Sequence, residues 1–233
     1  MISLGFTTYN SADFIERQIQ KDYFSMSKGL ISEIVIQDDH TEDYQKLQHL
    51  VSTKIKLHQN KEHLSPLLSR PNLVSNSKND WVLIMDSDNF LNSENFFIIR
   101  NILLQEDTIY CPAFAKPNFD FRKYNGKFID INFAQKEFND LSMQIFLNTG
   151  NYLVNKKKYL EVSKKIETKY NKFTVDVIYY NYLWLSEGYK LFCMENYEYD
   201  HTLRGDSYWQ TTHSISGDVL NEVNSKYINH GSI

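Results

Sequence analysis

The sequence predicts an α/β domain: a mostly parallel sheet flanked by helices, with an irregular second half. Three observations carry this. Short apolar runs alternate with helix-period stretches through about the first 110 residues, the pattern of βαβ units. Trp81-Val82-Leu83-Ile84-Met85 is apolar at every position, as in a strand buried on both faces of a parallel sheet. Three of the runs stop at polar or acidic clusters, and open parallel sheets bind ligands beyond the C-terminal ends of their strands.

Taken in order, residues 2–6 predict a first strand, ending at Thr7-Thr8-Tyr9-Asn10. Ser11 or Asp13 is placed to cap a helix, Glu16 completing a capping box with Asp13. Ile15, Ile19, Tyr23 and Met26 form its apolar stripe, and Gly29 closes it. Residues 33–37 predict a second strand, ending at Asp38-Asp39-His40-Thr41. Thr41 then caps a helix carrying Leu47, Leu50 and Val51, and residues 55–58 predict a third strand. Residues 64–76 read as helical in part, interrupted by Pro66 and Pro71. After the 81–85 strand, Ser93 caps a helix through Phe96, Ile99 and Leu103, and residues 108–114 predict another strand.

Beyond Pro112 the pattern loosens. Residues 128–133, 145–150 and 152–154 read as extended, and 159–170 as a charged helix that Lys156-Lys157-Lys158 introduces. Val175, Ile178, Tyr182 and Leu185 make a second helical stripe with Gly188 as its stop. Residues 190–194 and 197–199 predict short strands, and 200–212 a polar loop. A last helix carries Val219, Val223 and Tyr227. With no repeat or linker, the 233 residues read as one domain: about 1–110 regular, about 111–210 irregular, and 211–233 a C-terminal helix.

Composition narrows the function. A net charge of −4 gives no electrostatic case for nucleic-acid binding. Aromatics reach 15%, and core filling is the expected fate of most. Cys111 and Cys193 make no disulfide framework and are expected to be reduced and buried. The start has no basic region followed by a long apolar one, and no apolar run approaches the roughly 20 residues that span a bilayer. A cytoplasmic setting is expected, with contact at a membrane surface left open.

Asp86-Ser87-Asp88 is where chemistry is expected. In extended chain, positions two apart point the same way, so both carboxylates can reach one ligand. Hard divalent cations take such oxygens, and phosphate completes the shell. The plainer reading is a surface turn, for which Asp, Ser and Asn are suited. The second acidic pair, Asp38-Asp39, weighs against it.

Together these stretches resemble the family-two glycosyltransferases of the GT-A fold, whose sheet is Rossmann-like. The family's T-Y-N is Thr8-Tyr9-Asn10, and its D-D-G-S-x-D stands as Asp38-Asp39-His40-Thr41-Glu42-Asp43. Its A-R-N-x-G begins here as Ser69-Arg70, at family spacing from Asp86-Ser87-Asp88-Asn89. Each motif alone is weak; four in order are specific. The resemblance covers the first half well and scattered positions beyond it. Pro71 and Leu73 stand for the usual Asn and Gly, His40 for Gly, and Asn89 for a final Asp. These departures put the position of Arg70 in question.

The resemblance implies an inverting transferase that moves a sugar from a nucleotide diphosphate sugar, most often a UDP-sugar, to a glycan or other hydroxyl acceptor. By it, Thr7, Thr8 and Tyr9 flank the base, with Tyr9 stacking, and Asp38 accepts from the pyrimidine N–H. Arg70, Asp86 and Ser87 line the donor site, and Asp88 with Asp86 holds Mn²⁺ or Mg²⁺. Val175-Asp176 matches the position of the general base, with Glu187 or Asp200 as successors. His201 would contact the metal or phosphate, Arg204 and Ser207 the diphosphate, in a loop at 201–209 that closes over it. Gly150, Asn151 and Trp209 would lie on the acceptor side. Two other readings stand beside this one. A nucleotidyltransferase is disfavoured by the T-Y-N start, and a catalytically silent nucleotide- or sugar-binding domain by intact Asp88 and Asp176.

Overall fold

The computed structural model describes residues 1–171, 175–202 and 208–227. Strand β1 (Ile2–Thr8) leads into helices α1 (Ala12–Gln20) and α2 (Tyr23–Met26). Strand β2 (Ile31–Asp38), helix α3 (Asp43–Lys46) and strand β3 (Ile55–Gln59) follow. Helix α4 (Ser65–Asn76), strand β4 (Trp81–Asp86), helix α5 (Ser93–Asn101) and strand β5 (Thr108–Cys111) complete the regular part. Next come β6 (Phe114–Lys116), β7 (Phe119–Asp120), β8 (Phe128–Ile129), α6 (Ile131–Glu137), α7 (Leu141–Leu147), β9 (Tyr152–Asn155) and α8 (Lys156–Ser163). The chain ends through α9 (Asp176–Ser186), β10 (Lys190–Cys193), β11 (Glu198–Asp200) and α10 (Tyr208–Tyr227).

The main sheet runs β3-β2-β1-β4-β9-β5-β10-β8. It is mostly parallel; β9 runs antiparallel to β4 and β5, and β8 antiparallel to β10. A small sheet orders β11-β6-β7. Alternate residues of β4 feed two cores. Val82 and Ile84 join one with α9, while Leu83 and Met85 join the other with Phe6 and Ile15. That two-sided burial is why β4 is apolar throughout.

The regular half follows the predicted order, with local corrections. The first helix is broken: Asp22 takes a left-handed φ of 46° and caps a separate turn at Tyr23. No capping box forms at Asp13, and Ser11 occupies the N-cap without a side-chain cap bond. Helix α4 is continuous. Pro66 lies in its first turn, where no N–H is needed, and Pro71 is tolerated inside. Asn92, rather than Ser93, caps α5 through a capping box with Asn95. Pro112, which has no N–H to donate, ends β5 early, and Phe114 belongs to the small sheet.

Larger corrections fall in the second half. Residues 145–147 are helical, because Asp140 caps α7 and Met143, Phe146 and Leu147 are buried at helical spacing. Asp130 caps α6, so the strand at Phe128 ends after Ile129. The charged helix stops at Ser163, and the last helix starts at Tyr208 inside the expected loop. Helix α9 is buried along its length from Asp176 to Leu185 rather than on one stripe. Its aromatics fill the core and satisfy their polar atoms there: Tyr180 donates to the Tyr159 carbonyl and Trp184 to that of Lys190. Cys111 and Cys193 are free and buried.

Gly5 of β1 sits under α4. A Cβ added there would lie 2.8 Å from Leu73 Cδ2, in a fully buried core. Gly5→Val is therefore expected to cost about 1–3 kcal/mol in urea unfolding. Adding Leu73→Ala should return part of that loss. An unchanged midpoint in the single variant would remove this contact from the account of the core.

Candidate functional site

Parallel register lines up the strand ends. Thr7 pairs with Asp86, Thr8 with Asp38, and Asp38 with Gln59. The acidic clusters of β2 and β4 thus share one edge, with β1 between them.

Arg70 projects from α4 and is 7% exposed. Its Nη1 donates to Asp176 Oδ2 at 2.6 Å and its Nη2 to Asp86 Oδ1 at 3.0 Å. The departures at Pro71 and Leu73 leave Arg70 at the site. Burial alone would lower its pKa; Asp176 and Asp86 outweigh that and hold it fully charged. Asp176 opens α9 and is buried. Burial raises its pKa, and Arg70 opposes the rise. Gly150 is placed beside this pair. A Cβ there would lie 2.9 Å from Val177 Cγ2 and 3.0 Å from Arg70 Nη2, so the guanidinium needs glycine at 150.

Asp86 is held on its other side by amides. Its backbone N–H donates to Asn151 Oδ1 at 2.6 Å, and Asn151 Nδ2 donates back to Oδ2 at 3.0 Å. The same Nδ2 donates to the Tyr199 hydroxyl at 3.1 Å. Asn151 therefore sits on Asp86 itself. The turn after β4 is fixed by a residue the sequence reading missed. Buried Gln18 donates to the carbonyls of Ser87 and Asn89 and accepts from Tyr23. Its only signal was a polar residue at a buried helix position. Asn89 donates to Asp86 Oδ2 at 3.3 Å and accepts from Thr202 N–H at 3.2 Å. Asp88 follows, partly buried, close enough to Tyr199 for its charge to act there.

His201 is partly buried, with Asn118 Nδ2 2.7 Å from its Nδ1. An amide N–H only donates, so Nδ1 accepts and the neutral ring carries its proton on Nε2. Burial lowers its pKa, against the pull of Asp86. In that form the ring offers an N–H, which suits an anionic oxygen. Among the described residues no three His, Cys, Asp or Glu side chains converge as a metal site. A divalent cation fits here only with one or two protein oxygens and the rest from diphosphate and water. Asp86 already meets Arg70, Asn151 and Asn89, and Asp88 stands two residues further along the same turn.

At the β1–β3 end, Tyr9 is 48% exposed, and its ring lies 4.6 Å from that of His63 at 36°. Both line a cavity of about 580 Å³ with Gln59 and His40. Thr8 donates to Asp43 Oδ2, which also takes the Ser11 N–H. Thr7 is partly buried beside them. Asp38 is fully buried and accepts from Thr41 N–H, Thr41 Oγ1 and Gln59 Nε2. His63 went unremarked in the sequence, as one of seven histidines outside any recognised motif. Arg204 and Ser207, and with them most of the expected closing loop, lie outside the described residues. Trp209 belongs to α10. Glu187 is at the opposite end of α9 from Asp176.

The fold defines an open α/β domain whose acidic strand ends lie along one edge of the sheet. Its neighbours among solved structures include crystal structures of S. aureus TarS. TarS 1–349 in complex with UDP-GlcNAc aligns at TM-score 0.67 and 13% identity, over 97% of this chain and 65% of that one. The complex with UDP aligns at 0.60 and 13%, over 98% and 70%. A longer TarS structure aligns at 0.59 and 13%, over 100% of this chain and 44% of that one. The chain thus spans less than half of the longer TarS chain and about two thirds of the shorter. These alignments establish a shared fold. Comparison with family profiles and with curated sequences finds no match.

The pair of carboxylates depends on one cation, which makes a stability prediction. Arg70→Met should destabilise the protein by about 3–5 kcal/mol at pH 7, since it strands two charges. Without the guanidinium, the folded-state pKa of Asp176 should rise further above its unfolded value. A raised carboxylate contributes most below the unfolded pKa and loses that contribution as pH rises through the folded one. The difference from wild type should therefore shrink between pH 7 and pH 5 in urea titrations. A difference that is constant with pH would show that Arg70 does not govern these carboxylates.

Proposed function

We propose that this chain is a glycosyltransferase that moves a sugar from a UDP-sugar to a hydroxyl acceptor, with inversion, by single displacement. The observation that carries the reading is the Arg70 bridge between Asp86 and Asp176 at the C-terminal strand ends. It joins a donor-side carboxylate to a candidate base in a fold that TarS uses while holding UDP-GlcNAc. In this reading the base of the donor lies by Tyr9 and the diphosphate by Asp86 and Asp88. Mn²⁺ or Mg²⁺ held by Asp88 would stabilise charge on the leaving diphosphate. His201 would offer its N–H to a phosphate oxygen. Asp176 takes the acceptor proton: burial raises its pKa and so strengthens it as a base, while the Arg70 cation beside it favours the carboxylate form. A glycan acceptor would approach past Gly150 and Asn151. No helix of the described residues is long and apolar enough to cross a membrane, and the proposed setting is the cytoplasmic side.

Two variants test the roles. Asp176→Asn should keep UDP affinity while UDP release from a UDP-sugar with acceptor falls by about 10²–10⁴. Near-normal turnover would exclude Asp176 as the base. UDP-sugar binding without any release, across a panel of hydroxyl acceptors, would favour a silent binding domain instead. Asp88→Ala should abolish the Mn²⁺-dependent part of UDP binding in calorimetry and leave thermal unfolding unchanged. Equal affinity in both proteins, with Mn²⁺ and with chelator, would remove Asp88 from the metal role.

A further inference from the structure

We infer that His63 is the residue that selects the nucleobase, reading a ring N–H of uracil through its Nε2. This rests on the UDP-sugar reading above and specifies what the 580 Å³ cavity recognises. The obvious reader by position, Asp38, is poorly placed for the task. It is fully buried, and three donors from Thr41 and Gln59 already occupy its oxygens. Asp39 is no better: it accepts from Asn60 Nδ2 at 2.7 Å and Leu64 N–H at 2.9 Å, and is 3% exposed.

Asp39 has a different use. Its Oδ2 lies 2.9 Å from His63 Nδ1. A carboxylate that already accepts from two donors is an acceptor to a third, so His63 carries a proton on Nδ1. The hydrogen bond at one ring nitrogen fixes the tautomer at the other. In that tautomer Nε2 presents its lone pair, on a side chain that is 46% exposed at the cavity wall. Tyr9 packs against the same ring and leaves about half its surface open. Together they make an aromatic wall that ends in an acceptor.

Such an acceptor sorts pyrimidines. Uracil has an N–H at ring position three and meets it with a donor. Cytosine has a lone pair there and meets it with another lone pair. A site built to accept an N–H disfavours the analogue that lacks it, since two lone pairs are then set against each other across the contact.

The test is calorimetry with UDP and CDP on the full chain. Wild type should bind UDP about tenfold or more tightly than CDP. His63→Phe keeps a flat ring for packing and removes the acceptor. It should weaken UDP to within about twofold of CDP and leave CDP unchanged. His63→Gln restores a carbonyl acceptor and should recover part of the preference. Discrimination that survives in His63→Phe would overturn the inference. So would wild type binding both nucleotides equally, a result that leaves the transferase reading standing. Wild type binding neither nucleotide would overturn both.

Discussion

One guanidinium buried between two carboxylates holds the site together. Arg70, Asp86 and Asp176 come from α4, β4 and α9, and the Arg70–Asp176 contact spans 106 positions of sequence. Taking a charge out of water costs several kcal/mol, and a single ion pair often fails to recover it. Here the guanidinium meets a carboxylate on each of two nitrogens, so the cation is compensated twice. The arrangement constrains its neighbours in turn. Position 150 must lack a Cβ, and the β4 end must keep Asp86 turned toward α4.

Side-chain amides supply that second constraint. An amide offers a donor and an acceptor a short distance apart, so it can tie a backbone N–H and a carboxylate at once. Asn151 does this to Asp86, and Asn60 does a similar thing one strand over. Asn60 donates to Asp39 and Ser69 and accepts from Gln37 and Asn72. Gln18 clamps the turn between them from below. Neutral side chains thus hold the ends of β2 and β4, satisfying Asp39 on one and orienting Asp86 toward Arg70 on the other.

The regular half was legible because its strands are short apolar runs that stop at polar clusters, and burial on both faces leaves no other reading for 81–85. The second half was less so. Residues 145–147 form a short apolar run, which fits a strand or a buried helix equally, and the deciding cap at Asp140 lies several residues upstream. Helix α9 was found by its stripe, yet its burial all round was invisible, because tyrosine and asparagine sit in that core through hydrogen bonds that only the fold creates. At the site, Arg70, Asp86 and Asp176 were each visible as members of motifs. Their meeting was not, because it depends on α9 packing against α4. Gln18 and His63 belong to no motif, and their importance comes from partners distant in sequence or in another loop.

If the proposed UDP-sugar donor binds here, charge balance is the physical reason to expect a cation with it. Asp86 and Asp176 share the guanidinium of Arg70, and Asp88 adds a third carboxylate to the same strand end. His201 adds no compensation while it is neutral, and its burial favours that form. A diphosphate brings at least two further negative charges into the same cleft. At an effective dielectric near 20, each uncompensated pair of unit charges about 4 Å apart costs roughly 4 kcal/mol. That exceeds what hydrogen bonds from a few neutral donors return. A divalent cation held by Asp88, as proposed, would offset that repulsion and leave Arg70 to Asp86 and Asp176. Under the proposed function the division of labour would then follow from electrostatics: the fixed cation Arg70 would govern Asp176, and a mobile one would arrive with the leaving group.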